Sequence, residues 1–307
     1  MRPQFLRFIV TMGAVVVIGT LWSATTSVTG QSLPPREILP TTYTAPRTPD
    51  GRPDLNGFWQ AVNSANWDIE EHQAKTAPYE KLVGTYLAQP PGFSVVVGGV
   101  IPYKPEMLEK RKKLFDNRLK PKALAPDNLQ TEDAADPEAK CFQGGVPRAT
   151  YMPFPFQILQ SKNKVFLAYT FGGASFRIIH LDKTDFSTLL QNPTWNGQSI
   201  GHWEGETLVV ETKWFNTTVW LDRAANFYHE DAVVVERYTA TSPYHLKYEA
   251  TINDPTVFTR PWTISMPLYR LVEPPTQFQL LEFQCIGFSD EFLYGDLKKG
   301  VFVPPRK

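Results

Sequence analysis

The sequence predicts a mainly β protein whose antiparallel meander closes into a lipocalin-like barrel. Short β-rich runs, separated by turn residues, follow one another from Phe154 onward without intervening helices. Proline is also frequent, at 27 of 307 residues, and so many prolines leave little room for long helices. Strands without crossover helices cannot build a parallel doubly wound sheet. A closed barrel is therefore expected, with a β-sandwich as the alternative.

Residues 1–30 are expected to form a secretory signal peptide. Arg2 and Arg7 precede an uncharged, mostly apolar run over residues 8–22, and small residues follow that run. The run is shorter than the ~20 apolar residues that span a bilayer. An uncleaved anchor is the alternative, and both interpretations export the rest of the chain. We expect a periplasmic or secreted protein that has no stable membrane span after signal cleavage.

Residues 31–140 are predicted to form a Pro-rich arm that carries the first strand and one charged helix. Gly57 and Trp59 would open that strand, directly after a Pro-Asp-Gly turn signature. The helix is predicted over residues 105–120, because Pro105 suits a first helical turn. Its many lysines and arginines indicate a solvated face, and a membrane or anion patch is the alternative.

Residues 141–307 are predicted to form the antiparallel β domain. The clearest strand begins near Tyr244, where apolar and polar residues alternate. The two cysteines of the chain, Cys141 and Cys285, are expected either to form one disulfide or to stay as buried thiols. The predicted strands lie near residues 154–160, 164–170, 175–181, 198–203, 206–213, 232–240, 244–252, 262–268 and 276–285.

Charge and motifs exclude several classes of function. The 31 basic side chains are balanced by 31 acidic ones, which argues against a nucleic-acid partner. The five histidines form no HxH or HExxH pair and no CxxC occurs, so no metal site is expected. Neither GxGxxG nor a Walker sequence is present, and we expect no cofactor. The 13% of aromatic residues favours an aromatic-lined pocket and a small apolar or aromatic partner.

The densest polar cluster of the sequence lies between residues 220 and 237. His229 is predicted to be a general base that Asp222 orients, with Glu236 as a further catalytic residue, since a histidine beside a carboxylate suits proton transfer near neutral pH. The alternative is a salt-bridged rim that ties a long loop to the sheet. The predicted substrate-binding residues are Arg223, Arg237, Trp203, Trp220, Trp262 and Tyr238.

A second candidate site is the sequence Gly197-Gln198-Ser199-Ile200-Gly201, which satisfies GxSxG. Asp222 and His229 follow it in the chain order of an α/β-hydrolase triad. The nucleophile elbow of that fold requires a helix after the serine, whereas the residues that follow here predict a hairpin. A serine hydrolase that uses Ser199 is therefore the third functional hypothesis.

Several segments of the chain carry a family resemblance. They are Thr48-Pro49-Asp50-Gly51, Pro53-Asp54-Leu55, Gly57-x-Trp59, residues 199–210, Trp220-Leu221-Asp222-Arg223, Glu236-Arg237-Tyr238, Asp254-Pro255 and Pro261-Trp262. In these segments the chain resembles a family of exported bacterial proteins of unassigned function. The resemblance implies export but supplies no reaction. The chain departs from the family pattern at Glu206, where Asp is usual, and at Glu230, where Ser is usual. Gly57-x-Trp59 also resembles the first strand of lipocalins.

Together these observations predict an exported barrel that encloses an apolar or aromatic small molecule. The first hypothesis is a cofactor-independent enzyme that uses acid/base chemistry for isomerisation, cyclisation, a lyase reaction or hydrolysis. The alternative is a non-catalytic, lipocalin-like carrier of hydrophobic ligands.

Overall fold

The computed structural model describes residues 43–75, 88–118, 136–171, 175–216, 218–272 and 279–281. The predicted signal peptide and Cys285 lie outside these residues, and so does the predicted strand 276–285 apart from 279–281, which are irregular. The described residues all belong to one compact unit. None of the helices within them has the length and apolar character needed to cross a membrane.

A closed barrel of nine strands is the centre of the fold, as the sequence predicts. Two further short strands, β7 and β8, pair only with each other. The order around the barrel is β1, β11, β10, β9, β6, β5, β4, β3 and β2, and β2 pairs back with β1. The strands are β1 (Gly57–Gln60), β2 (Phe156–Gln160), β3 (Lys164–Tyr169), β4 (Phe176–His180), β5 (Gln198–Glu204), β6 (Thr207–Lys213), β7 (Val219–Trp220), β8 (Phe227–Tyr228), β9 (Val233–Ser242), β10 (His245–Asn253) and β11 (Trp262–Arg270).

The strand order departs from the predicted antiparallel meander at one point. Strands β4 and β5 are parallel, with Ile179 beside Ser199. Parallel neighbours need a connection that returns to the starting end of the sheet. Here the connection contains a 3₁₀ turn at Phe186–Thr188 and no long helix. The barrel is therefore mixed, and its other pairings are antiparallel.

The predicted arm contributes directly to the barrel. Its strand β1 pairs with both β2 and β11 and so closes the sheet. Its helix, α1 (Pro105–Asn117), begins at the predicted proline and buries Leu114. Beside β11, the extended residues around Val96 continue the pairing where β1 stops, through a bridge to Ile264. The arm and the β domain thus share one core.

Side chains fill the interior of the barrel. Period-two alternation points every second residue inward, and these positions are buried along β9, β10 and β11. Many of the inward side chains are large, and Trp59, Phe156, Tyr238 and Tyr248 are almost completely buried. Within the described residues, aromatic side chains thus occupy the central space in which the sequence predicts a hollow for an apolar ligand.

The cover, defined as residues 136–152 and 218–228, closes the end at which β5 begins and β6 ends. It contains the 3₁₀ turn Pro137–Lys140, the short helix α2 (Arg148–Tyr151) and the β7–β8 pair. Arg148 is fully buried there, with its guanidinium 2.7 Å from Asp136 Oδ1 and 2.6 Å from Glu138 Oε2. Its Nε donates to Asn66 Oδ1. These contacts hold the cover to the loop that follows β1.

The substitution Arg148→Ala is expected to lower the free energy of unfolding by about 3–5 kcal/mol, because buried Asp136 loses its ion-pair partner and Glu138 keeps only Arg223 as an ion-pair partner among the described residues. Urea unfolding measures this change. Arg260→Ala, at an exposed position, is the matched control and should change stability by less than about 0.5 kcal/mol. Equal effects of the two substitutions would contradict the role of Arg148.

Candidate functional site

A buried ion pair crosses the interior of the barrel. Arg177 on β4 and Glu236 on β9 both point inward, at 2% and 0% exposure, and the Arg177 Nη2 group donates to Glu236 Oε2. The same guanidinium donates to Thr212 Oγ1 at 2.6 Å and, through Nε, to Ser199 Oγ at 2.9 Å. A charge pair can be buried in this way because each charge is neutralised and hydrogen-bonded.

Two tyrosines complete the surroundings of Glu236. Tyr238 Oη donates to Glu236 Oε1 at 2.9 Å, and Tyr248 Oη donates to the same oxygen at 2.8 Å. Both carboxylate oxygens therefore have donors. Glu236, predicted to be catalytic, is thus fully engaged with Arg177 and the two tyrosines in this structure. Tyr238, predicted to bind substrate, belongs to this interior cluster because its hydroxyl donates to Glu236.

Three polar atoms at the cover end of the cluster are buried without a partner at hydrogen-bonding geometry in the described part of the chain. They are Tyr169 Oη, Thr150 Oγ1 and Arg177 Nη1. Burial raises the pKa of the Tyr169 phenol, and the charge of Arg177 together with weak hydrogen bonds to Thr150 and Arg177 lowers it in part. The three atoms therefore lie near one another. We call them the oxygen site, because a buried donor needs an acceptor oxygen from water or a ligand.

A narrow cleft leads from the surface to Tyr169. Its free volume is about 10 Å³, which is room for about one water molecule. The rings of Phe154 and Phe171 lie 5.7 Å apart at their centroids. The Asn196 amide donates to polar side chains on the opposite wall. The cleft thus combines an aromatic wall with a polar floor, and its lining includes Gln143, Met152, Phe154, Tyr169, Phe171 and Ser175.

The predicted pairing of His229 with Asp222 is wrong. His229 Nδ1 lies 3.1 Å from Thr256 Oγ1, and Nε2 lies 3.3 Å from Lys110 Nζ. The backbone N–H of His229 donates to Asp254 Oδ2. Burial and then Lys110 lower the pKa of His229, so its neutral form is favoured. Asp222 orients none of these groups.

Asp222 holds the loop between β7 and β8 instead. It is fully buried and accepts from the backbone N–H groups of Ile69, Ala224 and Asn226 and from the side-chain amide of Asn226. Burial, and next the nearby Asp68, raise the pKa of Asp222 to about 7. This arrangement agrees with the alternative interpretation of the polar cluster, a rim that ties a loop to the sheet.

The two predicted substrate-binding arginines lie away from the oxygen site. Arg223 binds Glu138 at 2.6 Å, and its guanidinium lies 5.1 Å from the ring of Trp67. Arg237 pairs with Glu204 at 2.8 Å on the outer face of the barrel. Residues 236 and 238 of β9 point inward, so strand alternation requires residue 237 to point outward. Both arginines are therefore paired with carboxylates of the protein itself.

The three predicted tryptophans are separated in the fold. Trp220 belongs to the cover, and its carbonyl oxygen lies near Arg148. Trp262 packs edge-on against Phe258 at 5.3 Å, in the apolar core. Trp203 is half-buried against that core near the end of β5. The structure does not bring them together as one pocket wall.

The serine-hydrolase interpretation is also corrected. Ser199 lies inside β5, which continues to Glu204, so the helix required after a nucleophile is absent at this position. Its hydroxyl is fully buried between Arg177 and Thr212. Gly197, with φ of 64°, and Gly201 serve close backbone packing at the start of the strand.

Sequence reasoning missed Arg177, Tyr169 and Thr150. A signal for Arg177 was present, since it shares the inward phase of the predicted strand 175–181 with Ile179. A charged residue at an inward strand position is unusual, and it indicates that polar partners are also present inside the barrel. Thr150 carries no such signal, because it reaches the site from the cover through long-range packing.

The remaining predictions concern metals and the disulfide. Within the described residues, no group of three or more His, Cys, Asp or Glu side chains could hold a metal ion. Cys141 is disulfide-bonded. Cys285 lies outside the described residues, so the pairing of the two stays a prediction.

Comparison with known proteins found no matching family model, no matching characterised protein and no matching solved structure. The functional argument therefore depends on the geometry of the site.

The substitution Asp68→Asn is expected to stabilise the protein more at pH 8 than at pH 5. Burial raises the pKa of Asp68, and burial with Asp68 raises that of Asp222 to about 7. A carboxyl whose pKa is raised in the folded state loses its stabilising contribution as pH rises through that value. Urea midpoints at both pH values measure the difference. The exposed Asp116→Asn is the control, and a pH-independent effect of Asp68→Asn would contradict the coupling.

Proposed function

We propose that the protein is an enzyme for small molecules in which Tyr169 and Arg177 stabilise negative charge on a substrate oxygen. The observation that carries this proposal is the oxygen site, whose polar atoms are buried beside the Arg177–Glu236 ion pair and make at most weak hydrogen bonds to one another. Leaving a polar group buried and unpaired costs about 1–3 kcal/mol. Other buried polar atoms, such as Trp262 Nε1, also lack a partner in the described residues, but here three such atoms are grouped beside a cleft, which is the arrangement expected of a site that receives a ligand.

The two main groups suit charge stabilisation. Burial raises the pKa of Tyr169, so its phenol keeps its proton at neutral pH and can donate it. Burial alone would lower the pKa of Arg177, but Glu236 and the nearby tyrosines raise it above its ordinary value. A neutral donor and a permanent cation thus face one point. Fixed donors of this kind stabilise oxyanions strongly, because they need no reorganisation during the reaction.

The cleft favours an apolar or aromatic substrate that bears an oxygen. The substrate oxygen would replace the water-sized volume beside Tyr169, and the apolar part would lie against Phe154 and Phe171. Isomerisation, cyclisation, lyase reactions and hydrolysis can all pass through an oxyanion, so the site is compatible with each class.

The non-catalytic carrier receives less support from the geometry. A carrier of hydrophobic ligands needs an empty apolar interior, and here aromatic side chains and the ion pair fill the barrel. His229 also takes no part in the proposed chemistry, because it contacts Lys110 and Thr256 outside the barrel interior.

The substitution Tyr169→Phe is expected to weaken binding of p-nitrophenolate, a chromogenic oxyanion, about tenfold or more, because one charge-assisted hydrogen bond is lost. The wild-type protein should shift the bound phenol toward its coloured phenolate at a pH slightly below the pKa of the free phenol. Absorbance titration measures both effects.

Tyr244→Phe is the matched control, since Tyr244 is an exposed tyrosine at the opposite end of the barrel. It should bind the probe as the wild type does. His229→Ala should also keep binding. If Tyr169→Phe binds the phenolate as tightly as the wild type, the oxygen site has no role in charge stabilisation and the proposal fails.

We also propose that the protein is exported. The apolar run over residues 8–22 supports this, and so does the disulfide at Cys141, since disulfides persist in oxidising compartments. Expression in a Gram-negative host followed by fractionation should place the folded protein in the periplasm. Replacing Val15 and Val16 with Asp should retain it in the cytoplasm. Cytoplasmic accumulation of both forms would contradict export.

A further inference from the structure

A second cavity lies at the hairpin end of the barrel, where β9 turns into β10. Its volume is about 300 Å³, which is at the lower limit of ordinary small-molecule sites. It lies at the opposite end from the oxygen site and shares no residue with it. Its lining includes Tyr43, Asp54, Trp59, Ser242, Pro243 and Arg270.

Arg270 is held in a fixed position at this cavity. Its Nη1 donates to the carbonyl of Asn56 at 2.7 Å and its Nε to the carbonyl of Pro243 at 2.9 Å. The guanidinium lies 4.3 Å from the ring centroid of Trp59. Gly57 makes room for it, since a Cβ at that position would lie 2.3 Å from Nη1. The backbone and an aromatic face thus fix the direction of this side chain.

One donor group of Arg270 stays free. Its Nη2 makes no hydrogen bond within the described residues, and no carboxylate among them lies within ion-pair distance of the guanidinium. Partial burial lowers the pKa of Arg270, and the nearby Asp54 and Tyr43 raise it in part. An anionic oxygen that accepts a hydrogen bond from Nη2 would satisfy this remaining donor group of the guanidinium.

Asp54 supplies the opposite charge at the same cavity. Its Oδ1 accepts from the backbone N–H and the side-chain amide of Asn56, at 2.9 and 2.7 Å. Its Oδ2 has no hydrogen-bond partner within the described part of the chain. The cavity therefore presents one guanidinium donor and one carboxylate acceptor between aromatic side chains. A ligand with a single charge would be attracted by one of these groups and repelled by the other.

We propose that this cavity binds a free aromatic amino acid as its zwitterion. The ligand carboxylate binds Arg270 Nη2, the ammonium group binds Asp54 Oδ2, and the ring packs beside Tyr43, because Trp59 is fully buried beneath the Arg270 guanidinium. The two charges of the ligand match the two charges of the cavity, and neither is left uncompensated. This site is independent of the proposed chemistry at Tyr169.

The first test compares three ligands by isothermal titration calorimetry on the full chain. L-Phenylalanine carries both charges, 3-phenylpropionate carries only the carboxylate and phenethylamine carries only the ammonium. The proposal predicts that L-phenylalanine binds about tenfold or more tightly than either of the others. It is overturned if L-phenylalanine does not bind, or if a ligand of single charge binds equally well.

The second test uses variants of the two charged residues. Arg270→Gln and Asp54→Asn should each weaken L-phenylalanine binding about tenfold or more, whereas Arg260→Gln and Asp231→Asn, at exposed positions, should not. Asp54→Asn keeps the Oδ1 acceptor of its turn, and it decides the question if Arg270→Gln does not fold. Asp54→Asn should also remove the preference over 3-phenylpropionate. Unchanged affinity and selectivity in Asp54→Asn would overturn the proposal.

Tyr169→Phe separates the two sites. It should keep full affinity for L-phenylalanine while it loses p-nitrophenolate binding. Loss of L-phenylalanine binding in this variant would place the amino acid at the oxygen site and overturn the assignment to the hairpin end.

Discussion

The ion pair between Arg177 and Glu236 is the interaction on which the interior of this barrel depends. Two charges have been taken from water into a cylinder of strands, and hydroxyl groups from neighbouring strands satisfy them. A buried ion pair is weak evidence for stability, because well-packed apolar residues of similar volume often stabilise a core equally or better. Stability therefore does not explain why β4 and β9 carry these residues, and we propose that they position the Arg177 guanidinium for a ligand.

The contrast with the cover strengthens this interpretation. Arg148 has two carboxylates and an amide oxygen as acceptors, and Asp222 has four N–H donors, so both are saturated within the protein. Arg177 has acceptors at full hydrogen-bond geometry for Nε and Nη2, whereas its Nη1 has none in the described residues and the guanidinium lies close to Tyr169. Hydrogen-bond networks in which every group has a partner within the protein hold loops in place. The Arg177 network, which has a donor group left over beside a cleft, is the candidate site for binding a ligand oxygen.

The sequence predicted the barrel because alternation and turn residues are local signals. The strands from Phe156 to Leu268 begin and end close to their expected positions, and the proline at the start of α1 was recognised correctly. The parallel β4–β5 pair could not be predicted, because it depends on the path of a long connection and not on local pattern.

The structure places two of the predicted site residues, Glu236 and Tyr238, in the interior cluster, while their roles stay predictions. The pairing of His229 with Asp222 failed because proximity along the chain does not reveal which backbone N–H groups a carboxylate will meet in three dimensions. Alternation alone also explains why Glu236 and Tyr238 are inside and Arg237 is outside.

The most direct measurement is a high-resolution crystal structure of the protein, examined at the oxygen site. The account predicts an ordered water or ligand oxygen within about 3.2 Å of both Tyr169 Oη and Arg177 Nη1, with the Arg177–Glu236 pair intact behind it. Tyr169, Thr150 and Arg177 paired with one another, with no space for an added oxygen, would contradict it.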